Sequence, residues 1–583
     1  MPARISLTMI VKNEERALPA CLAAARPWVD EIVVVDTGST DGTREIAQAH
    51  GARVVEWAWR DDFAAARNES LRHATGDWVL ALDADEILTP ASGPALRQAC
   101  EVGREVVAYE IKIVCPREGD GGLVRLNWFP RLFRRLPDVR WEGVIHEQVV
   151  ASLSGHGRIE RGPIEVIHAG YKLTPEQMTA KAKRNIALLE RQLREEADYA
   201  PGWFQLAETY MLVGRIEEAI AAYRRCLRLL QLSRLTLAPG VVAIALQNLG
   251  AALLQHGDRA DGLQTIQAAL ALDPTLAPAH VHLGNHAMAE GNWTAAEQHF
   301  TRALGMVQQG NETDEYQISP WLIHFLLGCA LGRQGRLHEA MACYHEALAI
   351  NPQHAESLWL LALAASEAGE LTESLAALER LGTLGRDDFA FHVQRASALS
   401  NLGRASEAAD AAQAALAHDG GSPTVLALLA HSLTQAGRPA QAAIAYERLT
   451  AATPDSPAPW LALAQCRQAA GDHAGMMAAY QQAVTIAPES ADVLFALGSA
   501  CLRGGALDAA EECLAGAAER APDRSDIRLS HAVCLVKQGD LDAARRVLDE
   551  LLERWPDNTH AREISRLLSR LAAAEAAAAG ARS

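Results

Sequence analysis

The sequence predicts an N-terminal α/β domain with a mostly parallel sheet, followed by a long all-α repeat region. Two observations indicate this division. From residue 5 to about residue 168, short apolar runs alternate with helical stretches, and from about residue 200 a glycine recurs at a fixed interval. Strands that alternate with helices of about ten residues are typical of right-handed βαβ crossovers, and these make neighbouring strands parallel.

Four strands and three helices are predicted before residue 90. Continuous apolar runs such as Ile5–Val11 indicate strands that are buried on both faces of a sheet. The predicted strands are Ile5–Val11, Ile32–Val35, Arg53–Glu56 and Trp78–Asp83, and the predicted helices are Glu15–Ala25, Gly42–Ala49 and Ala64–Ala74. In the less regular section after Pro90, further strands are predicted at Val106–Val114, Arg131–Arg134 and Val139–Val149.

The repeat region has a period of 34 residues. The glycines that keep it are Gly335, Gly369, Gly403, Gly437, Gly471, Gly505 and Gly539; Gly257 and Gly291 share the interval, and Gly214 is an earlier member. Each unit is predicted as helix, glycine turn and helix, which is the tetratricopeptide pattern, in about ten units. Stacking buries the apolar face that one unit cannot bury alone. Two insertions, near Ser233–Gly240 and Gln308–Ser319, are predicted as longer loops.

We expect three segments: the α/β domain over residues 1–185, the repeats over residues 186–558, and a capping helix with an alanine-rich tail over residues 559–583. The net charge of −18 disfavours nucleic-acid partners and anionic membranes. The ten cysteines form no CxxC pair, so they predict neither a disulfide framework nor a zinc site. No signal peptide and no membrane-spanning run are predicted, and a cytoplasmic location is expected.

Two carboxylates, Asp83 and Asp85, follow the apolar run Val79–Leu82. Ligands of open parallel sheets bind at the carboxyl ends of the strands, so both side chains are expected in one cleft. Oxygen ligands of this kind suit Mg²⁺ or Mn²⁺, which bridge carboxylates and substrate phosphates. The pair alone is a weak signal, because acidic loops are common.

Four further motifs precede this pair in a characteristic order. They are Met9–Glu15, Val33–Thr43, Asp62–Asn68 and Gly76–Trp78. Together they resemble the family-2 glycosyltransferases, and within them the SunS-like branch, many of whose bacterial members carry tetratricopeptide repeats. The match covers residues 5–90 and extends to about residue 185. The resemblance implies a GT-A fold and a metal-dependent enzyme that uses a nucleoside-diphosphate sugar, expected to be a UDP-sugar, with inversion.

Carried over motif by motif, the resemblance implies donor contacts by Lys12, Glu14, Asp36, Arg67 and Asp83. Asp36 would contact the pyrimidine or ribose, and the Arg67 guanidinium would face the diphosphate. Asp85 would be the main metal ligand, and Asp83 would lie near the ribose or bind the metal through water. The alternatives are a turn carboxylate for Asp36 and a surface salt bridge for Arg67.

The acceptor side is expected in a later stretch with the order Trp-x-Gly-x-x-His-Glu, which resembles one in the same branch. Inverting transfer needs a carboxylate that takes the acceptor proton, and Glu147 is the candidate, with Glu142 and Glu86 as competitors. His146 would orient the acceptor or Glu147. His168 is the candidate third metal ligand, and the alternative for it is a sheet-edge histidine.

The repeats suggest the kind of acceptor. Stacked helix pairs present a long concave face that fits extended partners, so a protein or peptide acceptor is expected on that face. Alternatively, the repeats dock the enzyme to an assembly and the acceptor is a glycan or a lipid-linked sugar. A non-catalytic scaffold is a further alternative. The presence of Arg67, Asp83 and Asp85 argues against it, because a transferase domain that has lost its activity is expected to have lost such residues.

Overall fold

The computed structural model describes residues 2–101, 103, 105–116, 124–145, 147–168, 175–232, 239–308 and 318–580. The chain forms two compact units, Met1–Ala364 and Ala365–Ser583. The first unit contains the α/β domain together with the first repeats. The second contains the later repeats.

Among the described residues of the α/β domain, eight strands form one sheet, in the order β3-β2-β1-β4-β7-β6-β8-β5. The strands are β1 (Ile5–Val11), β2 (Glu31–Asp36), β3 (Arg53–Glu56), β4 (Trp78–Ala81), β5 (Glu86–Leu88), β6 (Val106–Pro116), β7 (Val124–Arg134) and β8 (Arg158–His168). The helices between them are α1 (Leu18–Ala25), α2 (Thr43–Ala49), α3 (Phe63–His73), α4 (Ser92–Ala99) and α5 (Val150–Leu153), with a 3₁₀ turn at Arg26–Trp28.

The predicted parallel sheet is confirmed in its first half. Strands β3, β2, β1 and β4 are all parallel, with Val11 opposite Asp36 and Ile5 opposite Trp78. The second half is mixed, because β7 is antiparallel to β4 and to β6, β8 is parallel to β6, and β5 is antiparallel to β8. The carboxyl ends of β1, β2 and β4 therefore meet at one edge.

One predicted strand is wrong. In the described residues of Val139–Val149, the strand pairing is limited to an isolated bridge, in which Glu142 and Gln148 exchange backbone hydrogen bonds of 2.9 Å. Gly143, with φ of 98°, turns the chain back on itself there. The apolar residues of this segment are therefore buried against the sheet in a turn, and this burial gave them the sequence pattern of a strand. Conversely, β5 and β8 were not predicted.

Both faces of the sheet are buried, as the continuous apolar runs predicted. On one face Trp78 and Leu80 of β4 pack with Leu22 of α1 and Leu96 of α4. On the other face, Val79 and Ala81 pack with residues such as Phe133, Trp141 and Val149. Successive residues of β4 thus point into different clusters, which fixes the strand and the residues that follow it.

A long helix, α6 (Pro175–Glu195), joins the α/β domain to the first repeats within the first unit. Its Ile186 and Leu189 pack in one cluster with Ile145. Arg191 Nη2 donates a 2.6 Å hydrogen bond to the carbonyl oxygen of Asp61. The predicted boundary at residues 185 and 186 falls inside this helix, and the three-segment division stays a prediction.

Ten helix pairs and a final helix follow in the described part of residues 200–580. They are α7 (Ala200–Leu212), α8 (Ile216–Leu232), α9 (Pro239–His256), α10 (Arg259–Leu272), α11 (Ala277–Ala289), α12 (Trp293–Gln308), α13 (Pro320–Arg333), α14 (Leu337–Ile350), α15 (Ala355–Ala368), α16 (Leu371–Thr383), α17 (Phe389–Asn401), α18 (Ala405–His418), α19 (Pro423–Gln435), α20 (Pro439–Ala452), α21 (Pro457–Ala469), α22 (His473–Ile486), α23 (Ala491–Gly504), α24 (Leu507–Arg520), α25 (Ser525–Gln538), α26 (Leu541–Arg554) and α27 (Thr559–Gly580). These elements confirm the predicted repeats.

The periodic glycines explain the regular turns. All ten, from Gly214 to Gly539, have φ between 68° and 106°, a conformation that side chains with a Cβ rarely adopt. Each glycine therefore ends the first helix of its pair. The two predicted loop insertions lie largely outside the described residues. Within the described ranges, no helix is both long enough and apolar enough to cross a bilayer.

Close helix packing in the repeats gives the first testable prediction. A Cβ at Gly328 in α13 would lie 2.7 Å from the buried Tyr344 ring of α14, whereas a Cβ at Gly332, one turn later, would meet nothing closer than 3.6 Å. Gly328→Ala should destabilise the α13–α14 pair by about 1–3 kcal/mol through overpacking. Gly332→Ala should leave it unchanged or stabilise it by up to about 1 kcal/mol. Hydrogen exchange of residues 320–350 measures both effects, and equal exchange in the two variants would contradict this packing.

Candidate active site at the carboxyl edge of the sheet

The loops that follow β1 and β2 are tied together at this edge. Asn13, with φ of 58°, donates its backbone N–H to Ser39 Oγ at 2.9 Å and accepts from Thr40 N at 2.8 Å. Glu14 N donates to Thr43 Oγ1 at 2.7 Å. The left-handed backbone at Asn13 thus turns the loop so that Glu14 lies beside the acidic residues of the edge. Lys12 is exposed in the same loop.

Asp36 ends β2 and is buried. Its Oδ1 accepts hydrogen bonds from Gly38 N at 3.1 Å and Ser39 N at 3.0 Å, as a turn carboxylate does. Its Oδ2 is buried and has no hydrogen-bond partner among the described residues. Because buried polar atoms are nearly always paired, this oxygen is open to a donor from a ligand. The turn role of Asp36 is thus taken by Oδ1, and its contact with the donor stays a prediction for Oδ2.

Two of the predicted metal-binding residues, Asp85 and His168, are in contact. β5 pairs with β8 so that Glu86 lies opposite His168, and the His168 Nε2 lies 2.9 Å from Asp85 Oδ2. Burial raises the pKa of Glu14, and the charges of Asp85, Asp41 and Asp83 raise it further. This edge of the sheet thus has a surplus of negative charge, with an imidazole on one side.

Asp83 has a different environment from Asp85. Its Oδ1 accepts from Arg67 Nη2 at 2.6 Å and its Oδ2 accepts from Arg131 Nη2 at 3.2 Å. Burial acts to raise the pKa of Asp83, but the two guanidinium groups outweigh it and hold the pKa well below its usual range. Both oxygens of Asp83 already have cationic partners, so Asp85 is the freer carboxylate for a cation.

Arg67 lies in α3, and its side chain is only 4% exposed. Besides Asp83, it binds Glu147, whose Oε1 accepts from Arg67 Nε at 2.5 Å. Its Cζ lies 5.0 Å from the centroid of the Trp141 ring. The burial of Arg67 lowers its pKa, but the two carboxylates more than reverse this, so the guanidinium stays charged. The contact between Arg67 and a diphosphate stays a prediction.

The three candidate bases occupy different places. Glu147 is 12% exposed and is held by Arg67. Glu142 is half exposed and forms an ion pair of 2.7 Å with Arg140. Glu86 is buried beneath the Asp83–Asp85 turn, where its Oε2 accepts from Asp83 N at 2.9 Å, and burial raises its pKa. His146 lies outside the described residues.

The sequence analysis did not predict the contacts of two side chains at this edge. Arg131 was named only as the first residue of a predicted strand, and Glu86 was considered only as a base. The pairing of β4 with β7 places Leu132 opposite Leu80, so Arg131 comes next, toward the end of β4. Only this register brings Arg131 to Asp83, and no local pattern around residue 131 indicates it.

Two tryptophan rings of the α/β domain, those of Trp141 and Trp128, have different surroundings. Trp141 is buried, and its ring meets the Phe133 ring edge to face with centroids 5.8 Å apart. Its role in the described structure is therefore packing. Trp128 is half-buried beside Arg161, whose Cζ lies 5.0 Å from the ring centroid.

Known protein families match both parts of the chain. A model of glycosyl transferase family 2 matches residues 6–152. Tetratricopeptide repeat models match residues 200–231, 248–311, 325–389, 401–466, 468–534 and 514–571.

Individual proteins are similar to parts of the chain. A TPR repeat-containing protein of Synechococcus elongatus is 40% identical over 34% of this chain and 50% of its own length. The SPbeta prophage-derived glycosyltransferase SunS of Bacillus subtilis is 29% identical over 37% of this chain and 51% of its own. The structure of MamA is similar with a TM-score of 0.27, at 18% identity over 30% of this chain and 94% of that one. The chain spans about half the length of these curated relatives. Residues 6–152 therefore belong to glycosyl transferase family 2, and tetratricopeptide repeats follow them in the same chain.

Proposed function

We propose that the chain transfers a sugar from a nucleoside-diphosphate sugar, with UDP as the expected nucleotide, to a protein or peptide that the repeats recruit. The observation that carries this proposal is the 2.9 Å contact between Asp85 Oδ2 and His168 Nε2 at the carboxyl edge of the sheet, where the charge of His168 also acts on Asp83. Parallel α/β sheets bind their ligands at this edge. The family-2 match over residues 6–152 supports the same reaction class.

The residues at this edge fit a divalent cation. Carboxylate oxygens with one imidazole nitrogen suit Mn²⁺, and the carboxylates alone also suit Mg²⁺. Asp85 and His168 would hold the ion, with Asp83 binding it directly or through water, and Glu14 adds negative charge beside them. When bound, such an ion supplies positive charge for the departing diphosphate.

The donor nucleoside is assigned to the end of β2. Asp36 Oδ2 is the buried acceptor without a protein partner, which suits a ribose hydroxyl or a pyrimidine N–H. Lys12 and Glu14 lie on the adjoining loop, from which they would contact the donor. The turn around Gly38 and Ser39 holds Asp36 in place through its other oxygen.

Glu147 is assigned as the base. The acceptor nucleophile attacks the anomeric carbon while the bond from that carbon to the diphosphate oxygen breaks, and the acceptor proton passes to Glu147. One displacement of this kind inverts the anomeric configuration. Arg67 fixes Glu147 relative to Asp83, so the base and the donor site are held by one side chain. Glu86 is buried away from any acceptor and instead positions the Asp83–Asp85 turn.

The repeats support a macromolecular acceptor, because stacked helix pairs offer long surfaces for extended polypeptides. A panel of nucleoside-diphosphate sugars, assayed by nucleotide release with host proteins present, tests the proposal. Mass spectrometry should then find a hexose-type mass increase on a polypeptide. Transfer of sugar to glycans or lipids alone would contradict a protein acceptor. No nucleotide release with any donor would contradict the proposed transferase activity.

Asp36→Asn should weaken nucleoside-diphosphate binding. The substitution removes the charge from the buried oxygen, and a hydrogen bond to a charged group contributes about 1.5–3 kcal/mol, so Kd should rise about 10- to 100-fold. Calorimetric titration with UDP and Mn²⁺ measures this. The control is Glu56→Gln, at the exposed end of the neighbouring β3. Unchanged affinity in Asp36→Asn would show that Asp36 only shapes the turn.

Asp85→Ala should abolish turnover while the repeats melt as in the wild type. Loss of a charge-stabilising metal removes several kcal/mol from the transition state, and each 1.36 kcal/mol is a factor of ten, so a fall of at least about 100-fold is expected. Nucleotide release and thermal melting of the helical circular dichroism are the measurements. Asp138→Ala, at an exposed loop position, is the matched control. Turnover close to that of the control would refute the metal assignment.

Glu147→Gln should lower kcat by about 10²- to 10⁴-fold, the range for loss of a general base, with little change in donor affinity. The amide keeps the shape of the side chain beside Arg67. Glu142→Gln, which alters an exposed ion pair, should keep kcat near the wild-type value. Steady-state kinetics across pH measure both variants. A larger loss in Glu142→Gln than in Glu147→Gln would move the base to residue 142.

A further inference from the structure

The second unit contains a cluster of three side chains that the transferase reaction does not use. Asp387 lies in the loop before α17, His392 lies in the first turn of α17, and His418 is the last residue of α18. One ligand atom from each lies within 4.8 Å of the other two. We propose that this cluster binds a Zn²⁺-class divalent cation.

Both imidazoles are directed at the same oxygen. The Asp387 Oδ1 lies 2.5 Å from His392 Nε2 and 3.5 Å from His418 Nε2. The two rings are stacked at 25°, with centroids 5.6 Å apart, so their Nε2 atoms converge on one point. A cation can replace the protons that these atoms now share.

The distances fit a small cation. Zn²⁺ binds nitrogen and oxygen ligands at about 2.0–2.2 Å in tetrahedral geometry, which places neighbouring ligand atoms about 3.4 Å apart. The distance from His418 Nε2 to Asp387 Oδ1, 3.5 Å, is already close to this spacing. The distance from His392 Nε2 to Asp387 Oδ1 would have to widen by about 0.9 Å to reach it. Asp387 can supply that movement, because its side chain is 73% exposed.

Contacts of the neighbouring residues position two of the three ligands, Asp387 and His392. Asp388 Oδ1 caps α17 by accepting from Phe391 N at 2.8 Å, and Asp388 Oδ2 accepts from Arg386 Nε at 2.7 Å. Asp388 is therefore engaged in the cap, and its neighbour Asp387 is presented to the histidines. His392 is 12% exposed and its ring packs against Phe391, with centroids 5.1 Å apart, so few rotamers are open to it.

The chemical types of the three ligands determine which cation they prefer. Two imidazoles and one carboxylate suit Zn²⁺, Co²⁺, Ni²⁺ or Cu²⁺, whereas Mg²⁺ prefers oxygen ligands alone. Three protein ligands leave a fourth position, which water fills in a tetrahedral complex. The cation would join the loop before α17 to the end of α18. The proposed set of ligands contains no cysteine.

The test is zinc binding to the metal-free full chain in excess Mg²⁺, which keeps the carboxylate edge of the sheet occupied. The wild type should retain one Zn²⁺ in equilibrium dialysis, and Co²⁺ should give the visible absorption of a tetrahedral complex. His392→Ala, His418→Ala and Asp387→Asn should each weaken binding at least about tenfold. Asp387→Asn is the most informative variant, because it changes an exposed side chain and keeps its shape.

Two control variants separate this site from other zinc binding. His431→Ala removes an exposed histidine of α19 and should retain the ion. Asp85→Ala should also retain it, because Asp85 belongs to the α/β domain. No Zn²⁺ retained by the wild type would overturn the proposal. Equal binding by the wild type and Asp387→Asn, with loss in Asp85→Ala, would place the ion at the sheet edge instead and would also overturn it.

Discussion

Arg67 is buried as a charge between two carboxylates, and the arrangement of the candidate active site depends on it. A buried charge is tolerated only where it is paired, and removing one partner of such a pair costs about 3–5 kcal/mol. Arg67 has Asp83 on one side and Glu147 on the other, with the Trp141 ring nearby. Asp83, on the proposed donor side, and Glu147, the proposed base, are therefore held by the same side chain. This constraint orients Asp83 and leaves Asp85 to face His168.

The parallel half of the sheet explains why the sequence indicated so much of this site. In β1, β2 and β4 the last residues of local apolar runs come to one edge, so Asp83 and Asp85 could be placed there from the apolar pattern, whereas Asp36 was proposed through the family resemblance. The ten turn glycines are equally local, since each requires only its own backbone conformation. Features set by short-range rules were thus predictable.

The long-range register of the strands could not be predicted from the sequence. Arg131 reaches Asp83 through the antiparallel pairing of β4 with β7, and His168 lies at Asp85 through the pairing of β5 with β8. Neither pairing has a local signature, and His168 was proposed only through a family resemblance. The same limit applies to Asp387, His392 and His418, which come together through the stacking of α17 and α18 and not through any motif spacing. Val139–Val149 shows the opposite error, because an apolar run that is buried in a turn has the pattern of a strand.

We propose above that Asp85 and His168 hold a divalent ion beside the diphosphate of the donor. The most direct measurement is anomalous diffraction from crystals of the full chain grown with Mn²⁺ and a nucleoside diphosphate. We expect a manganese peak within coordination distance of Asp85 Oδ2 and His168 Nε2, adjoining the diphosphate, with the nucleoside at Asp36. A nucleotide bound at this edge with no manganese peak, or with manganese held away from Asp85, would contradict it.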